Sequence, residues 1–97
     1  MKFFCYILYS KSIDRYYVGY TSDIAARLKF HNSGHFGTKS YTHTTSDWEV
    51  DLLIPCMTVT QAIYIESKIK KMKSRKYIED LKKYPEMIEK ILKEFYN

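Results

Sequence analysis

The sequence has few cysteines and no paired cysteine motif. Only two of its 97 residues are cysteine, Cys5 and Cys56, and they stand far apart in apolar, strand-like segments. Structural zinc sites and thiol redox motifs need cysteines or histidines at short, regular spacing. The sequence therefore predicts two reduced, buried thiols in a cytoplasmic protein.

Long hydrophobic runs are also missing. The apolar stretch from Phe3 to Tyr9 is far shorter than the roughly 20 residues that cross a bilayer. Three of the six residues after it are charged, and no small-residue cleavage site follows, so this stretch predicts a strand and not a signal sequence. There is no internal repeat, linker or low-complexity segment, and the sequence predicts one domain over residues 1–97.

Acidic residues are absent from Ser67 to Ile78, a stretch that holds six of the sixteen lysines and arginines. This local excess of positive charge suits a phosphate backbone, with Lys70, Lys71 and Lys73 as candidate DNA contacts. An ordinary solvated helix face is one alternative. A small interaction domain that binds an acidic protein is another.

Two β-favouring segments, Phe3 to Tyr9 and Arg15 to Tyr20, predict a β-hairpin. If Tyr6 pairs with Tyr17, the turn is centred on residues 11 and 12. A register slip of one residue would put the two phenols on opposite faces of the sheet. The shared position of the phenols therefore depends on the register.

Alternating apolar side chains from Trp48 to Ile54 predict a third strand, which Pro55 should end. Trp48 and Ile54 should then lie on the same, buried face. The acidic residues that alternate with the apolar ones, Asp51 among them, should face solvent. A metal-binding cluster is the alternative for these carboxylates.

A first helix is predicted from Asp23 to Asn32, with a hydroxyl of Thr21 or Ser22 as its N-cap. Residues four apart lie on the same side of a helix. Two apolar residues should therefore form the buried line, and two candidate chemical groups should share a neighbouring flank: Ile24 with Leu28, and Arg27 with His31.

A second helix is predicted from the capping-box signature of Thr58 and Gln61 to about Met72. Its apolar stripe should pack on the sheet, and Glu66 lies at the edge of that stripe. On spacing alone, Glu66 and Lys70 predict an ordinary surface ion pair. Two shorter segments predict further helices: residues 74–83 and residues from 85 onward.

The segment from His35 to Ser46 contains no aliphatic residue and is rich in hydroxyl, glycine and aromatic side chains. It predicts a polar loop. Lys39 and Tyr41 are candidate DNA contacts, because a lysine can bind phosphate and a tyrosine can stack on a base. A loop without a binding role is the alternative.

An ordered set of residues resembles the GIY-YIG nuclease family, in particular its small free-standing bacterial members and the N-terminal nuclease domain of the excinuclease. The resemblance covers nearly the whole chain, and its specificity comes from the order of the set: Tyr6-Ile7-Leu8, Tyr17-Val18-Gly19, Arg27, His31-Asn32-Ser33-Gly34 and Glu66.

The sequence departs from the family pattern at three places. The first motif is Phe4-Cys5-Tyr6, so that only its tyrosine remains. Tyr20 stands where excinuclease-type members tend to have a lysine, and Ile78 stands where some members have an asparagine. Neither the lysine nor the asparagine is carried over to this chain.

The resemblance implies an α+β fold, with a small three-stranded antiparallel sheet flanked by helices. It also implies an endonuclease of DNA repair or processing that hydrolyses DNA with one Mg²⁺ or Mn²⁺ per site. Tyr6 and Tyr17 would jointly serve as base and positioning groups, Arg27 would bind the scissile phosphate, His31 would relay a proton and Glu66 would hold the metal.

The departures from the family pattern favour one alternative, a nucleic-acid-binding module that has lost most of its cleavage activity. The sequence leaves open which DNA structure is the substrate. It also leaves open whether two chains form a homodimer to cut both strands.

Overall fold

The computed structural model describes residues 2–33 and 45–96. These residues form an α+β fold with a three-stranded antiparallel sheet in the order β2-β1-β3, as predicted. The candidate contacts Lys39 and Tyr41 lie outside the described residues. The elements, in chain order, are β1 (Phe3–Ser10), β2 (Arg15–Thr21), α1 (Ile24–Ser33), β3 (Trp48–Cys56), α2 (Val59–Met72), α3 (Arg75–Lys83) and α4 (Pro85–Tyr96).

The hairpin register differs from the prediction. Tyr6 pairs with Gly19 and not with Tyr17, because the turn is longer than expected and spans residues 11–14. Asp14 closes this turn in the left-handed conformation, with φ at 51°, which aspartate tolerates better than most residues. The register moves by two positions and not by one, so Tyr6 and Tyr17 still face the same side of the sheet.

Asp51 is an extra residue in β3 relative to β1. Its neighbours Val50 and Leu52 pair with consecutive residues of β1, which is the pattern of a β-bulge. Because the bulge interrupts the alternation, Trp48 and Ile54 lie in separate apolar clusters on opposite faces of the sheet. The prediction that these two residues share a face was wrong.

Pro55 does not end β3, which continues to Cys56. β3 lies at the edge of the sheet, where a residue without a backbone N–H group is tolerated. The sequence alone does not give the strand order. The predicted strand therefore ended too early.

Helices cover both faces of the sheet. We call the side that α1 covers the α1 face. There, Ile24 and Leu28 pack on a buried cluster of Tyr6, Leu8 and Trp48, and both residues of the predicted apolar line are in contact with the sheet. The opposite face holds the larger cluster, to which β1, β2, β3, α2, α3 and α4 all contribute.

The helix α2 begins and ends where the sequence predicts. Its N-cap is Thr58, whose hydroxyl accepts a hydrogen bond of 3.1 Å from the backbone N–H of Gln61. The stripe of Ala62, Ile65 and Ile69 is buried against the sheet. Met72, which was predicted to continue this stripe, is 47% exposed because it lies in the last turn.

Candidate active site

Tyr6 and Tyr17 lie side by side on the α1 face, with ring centroids 6.3 Å apart. Tyr6 is buried, with 2% of its surface exposed, whereas Tyr17 is only half-buried. Gly19 lies opposite Tyr6 across the hairpin and leaves room for its ring. The two phenols that the sequence left equivalent therefore have different environments.

The phenol of Tyr6 is hydrogen-bonded to the imidazole of His31, with Oη 3.0 Å from Nε2. His31 is 5% exposed, and burial together with the charge of Arg27 lowers its pKa to about 4. Burial, with a smaller contribution from Tyr17, raises the pKa of Tyr6 well above its usual value. At neutral pH the bond thus joins a neutral imidazole to a neutral phenol, and a proton can pass between them.

Tyr17 lies between this pair and the helix α2. Its ring centroid is 4.6 Å from that of His31. On its other side, Nζ of Lys70 lies 5.9 Å from the ring centroid, within the usual limit of a cation–π contact. Sequence reasoning assigned Lys70 to DNA binding and did not expect it beside a phenol.

Arg27 stands on the exposed side of α1, with its guanidinium 5.4 Å above the ring of Phe30. Its charge acts on the pKa of Tyr6 and on that of His31, which places it within electrostatic range of both. An open depression of about 380 Å³ adjoins it, lined by Thr21, Asp23, Ala26, Arg27 and Phe30. The arginine is therefore available to a ligand beside the hydrogen-bonded pair.

Sequence reasoning missed Phe30. Its position three residues after Arg27 was the available signal, because residues three apart are neighbours on a helix surface.

Contacts at both ends of α1 fix the helix that carries Arg27 and His31. At its start, Oδ1 of Asp23 accepts a hydrogen bond of 3.1 Å from the backbone N–H of Ala26, so Asp23 caps the helix and the predicted hydroxyl cap was wrong. Near its end, the side chain of Asn32 bonds the backbone N–H and C=O of Trp48, at 2.8 and 3.0 Å. This clamp ties α1 to β3 directly beside His31.

Glu66 approaches the site from the other side of the sheet. It lies on α2, which packs on the opposite face, yet its charge contributes to the raised pKa of Tyr6. Its side chain is 17% exposed, and Oε2 lies 3.5 Å from Nζ of Lys70, so the ion pair predicted from spacing is present. The contact of Lys70 with Tyr17 shows that this flank of α2 reaches the α1 face at the β2 edge.

The donor set suits only a metal ion that needs few protein ligands. In residues 2–33 and 45–96 there is no group of three or more His, Cys, Asp and Glu side chains that could hold a metal. Glu66 offers one carboxylate near the phenols. Mg²⁺ binds in this way in many phosphoryl-transfer sites, with one or two carboxylates, several waters and substrate phosphate oxygens.

The basic run of α2 and α3 is largely neutralised by acidic residues. Two of its pairs join parts of the chain that are far apart in sequence: Lys68 with Glu94 at 2.9 Å and Arg75 with Asp14 at 2.8 Å. Two others are local: Lys70 with Glu66 and Lys76 with Asp80. Lys71 and Lys73 make no ion pair with any residue that the structure describes.

Residues 2–79 match the model of the GIY-YIG catalytic domain. The match covers most of the chain, and the chain belongs to the GIY-YIG family. Membership of this family indicates a nuclease.

A solved structure and the helix lengths add two findings. The fold is similar to the solution NMR structure of a UPF0213 protein from Bacillus halodurans, with a TM-score of 0.51 and 27% sequence identity over 84% of this chain and 82% of that chain. No curated protein matches the chain significantly. Within the described ranges, every helix is too short or too polar to span a membrane.

Proposed function

We propose that this protein is a metal-dependent DNA endonuclease that hydrolyses phosphodiester bonds in DNA repair or processing. One observation carries the proposal: the hydrogen bond between Tyr6 and His31 lies directly beside Tyr17, and an exposed cation, Arg27, is within electrostatic range of it. Hydrolysis of a phosphodiester needs a proton acceptor for water and positive charge near the phosphate. These four residues supply both.

Tyr17 is the phenol that takes the proton from the attacking water. It is half-buried and can meet a substrate, whereas Tyr6 is enclosed and its raised pKa keeps its proton in place. Phenols ionise near pH 10, so a phenolate needs nearby positive charge to form at neutral pH. Tyr6 and His31 form the relay that orients Tyr17 and carries the proton onward.

Arg27 binds the scissile phosphate. Its guanidinium can hold two phosphate oxygens at once, which fixes the orientation of the group. The contact with the ring of Phe30 restricts the arginine side chain, and the depression beside it gives room for the sugar-phosphate chain. The phosphate would then lie next to the hydrogen-bonded pair.

Glu66 is the residue that would hold Mg²⁺ or Mn²⁺. A divalent cation there would neutralise charge on the phosphate and stabilise the leaving oxygen. The carboxylate is paired with Lys70 through Oε2 at 3.5 Å, a distance typical of a weak and exchangeable ion pair. The ammonium can therefore move from that oxygen when a metal binds.

DNA outside the scissile phosphate would be bound mainly through its backbone. Lys71 and Lys73 make no ion pair with described residues, and Lys70 stands at the site itself. Lys39 and Tyr41 stay candidate contacts of the loop. Cutting both strands of a duplex would require a second chain or a second binding event, so a homodimer stays a prediction.

The decisive experiment is a cleavage assay with purified protein. Duplex, nicked, flap and single-stranded DNA should be incubated with Mg²⁺, with Mn²⁺ and with EDTA. A protein carrying both Tyr6→Phe and Tyr17→Phe is the control for contaminating nucleases. Cleavage that needs metal and disappears in the control supports the proposal, whereas salt-sensitive binding without cleavage would support the binding-module alternative.

A further inference from the structure

Lys70 is the residue of the basic run that contacts the active-site groups. Its ammonium lies 3.5 Å from Oε2 of Glu66 and 5.9 Å from the ring centroid of Tyr17. Glu66 belongs to α2 on one side of the sheet, and Tyr17 faces the α1 face on the other. A single side chain thus links two proposed catalytic groups that come from opposite faces.

The link has a physical purpose, because the packing of α2 does not fix the Glu66 carboxylate. The buried stripe of α2 holds the helix backbone against the sheet. A glutamate at the edge of such a stripe still has several rotamers, and holding one of them costs conformational entropy. An ammonium that binds the carboxylate and lies over an aromatic ring restricts these rotamers.

Lys70 differs in this respect from the other paired lysines of the described chain. Lys68 pairs with Glu94 of α4, and Lys76 pairs with Asp80 within α3, so neither pair includes a proposed site residue. Lys83 also lies over a tyrosine, with Nζ 5.5 Å from the ring centroid of Tyr84, but at the end of α3. The combination of a carboxylate and a phenol of the site is specific to Lys70 among these lysines.

We propose that Lys70 is a positioning residue of the active site, which holds the Glu66 carboxylate in register with the phenol of Tyr17 across the β2 edge. This inference rests on the proposed endonuclease function. It replaces the role of a general phosphate contact, since a lysine held by Glu66 and Tyr17 contributes less charge to distant DNA. The residue acts through Glu66 and Tyr17 and need not touch the substrate.

The test separates positioning from DNA binding. Lys70→Met keeps the apolar stem and removes the charge, Lys70→Arg keeps the charge, and Lys83→Met is the matched control that removes a lysine over a tyrosine elsewhere. DNA affinity and the single-turnover cleavage rate at saturating protein should be measured for each. The ring signals of Tyr17 should also be recorded by NMR in the absence of DNA and metal.

We expect Lys70→Met to lower the saturated rate by roughly 10- to 100-fold, the range that a misplaced catalytic group costs. Its DNA affinity should stay within about threefold of the control. Lys70→Arg should recover most of the rate. The Tyr17 ring signals should shift in Lys70→Met and stay unchanged in Lys83→Met.

The outcomes separate this inference from the proposed function. A wild type that cleaves none of the DNAs overturns the proposed function and the role of Lys70 in it. An active wild type with equal saturated rates for Lys70→Met and Lys83→Met overturns the inference alone. Weaker DNA binding by Lys70→Met at an unchanged saturated rate would return Lys70 to the role of a phosphate contact.

Discussion

Gly19 lies directly opposite Tyr6, and the ring of Tyr6 occupies the space that a side chain at position 19 would fill. A Cβ atom on Gly19 would stand 2.6 Å from Oη and 2.7 Å from Cζ of Tyr6, and 3.2 Å from Cε1 of Tyr17. Carbon atoms do not approach other heavy atoms so closely without movement. The absence of a side chain at Gly19 therefore allows the two phenols to share the α1 face.

Gly19→Ala should destabilise the protein by about 1–3 kcal/mol, the usual cost of overpacking. It should also reduce cleavage, because the Tyr6 ring must move away from His31. Urea unfolding measures the first effect. In a Tyr6→Phe background the closest contact is gone, and Gly19→Ala should cost less; an equal cost in both backgrounds would show that the Tyr6 hydroxyl does not limit the space.

Tyr17→Phe should slow cleavage by roughly 10²–10⁴, the range of general acid–base assistance. Only a hydroxyl is lost from a half-buried ring, so folding and DNA affinity should change little. Single-turnover rates at saturating protein measure the effect. Tyr6→Phe tests the relay, and unimpaired cleavage by both variants would exclude phenol chemistry.

Glu66→Gln should abolish most metal-dependent cleavage while DNA binding persists or improves, because one anionic ligand is lost without a change of shape. Asp80→Asn is the matched control, since the pair of Asp80 with Lys76 has the same spacing and the same 3.5 Å distance. Each ion pair alone contributes only about 0.3–0.5 kcal/mol to stability. Equal cleavage by Glu66→Gln and Asp80→Asn across a Mg²⁺ titration would contradict the metal assignment.

Stability should fall as the pH falls from about 6.5 to about 4 because of His31. Its pKa is lowered from the usual 6.5 to about 4 in the folded protein. The unfolded chain binds the proton throughout this window and the folded chain does not, so protonation favours unfolding, by up to about 3 kcal/mol.

His31→Gln should lack this part of the pH dependence. The free energy of unfolding of both proteins, measured at several pH values between 7.5 and 4, gives the difference. Identical pH profiles would mean that His31 titrates normally in the folded state.

Lys71→Met with Lys73→Met should weaken binding to every DNA sequence by a similar factor. If both side chains contact phosphates, the slope of log affinity against log salt should fall by about 2. Lys68→Met with Lys76→Met is the control of equal charge, because these lysines are engaged by Glu94 and Asp80. The same salt slope for both double variants would show that the ion pairs do not decide which lysines bind DNA.

Local signals in the sequence determined the secondary structure. The N-cap of α2 at Thr58 and the apolar line of Ile24 and Leu28 were predicted correctly, because caps and helical spacing depend on residues a few positions apart. The ordered motifs likewise indicated the family before any geometry was known. These features need no information about distant parts of the chain.

The tertiary structure decided the register and the faces. The left-handed conformation of Asp14 lengthens the hairpin turn, and the bulge at Asp51 turns Trp48 and Ile54 to opposite faces. Both are single-residue departures from regular backbone, and both depend on how whole strands pair. A periodic pattern cannot reveal them, because it assumes that the regular repeat continues.

The tertiary structure also decided which charges are paired and which are neighbours of the phenols. Arg75 is paired with Asp14, 61 positions away, although the sequence shows only an uninterrupted basic run. Lys70 meets Tyr17 only because α2 reaches the edge of β2. Electrostatic partners follow distance in space, and folding brings together residues that the sequence keeps apart.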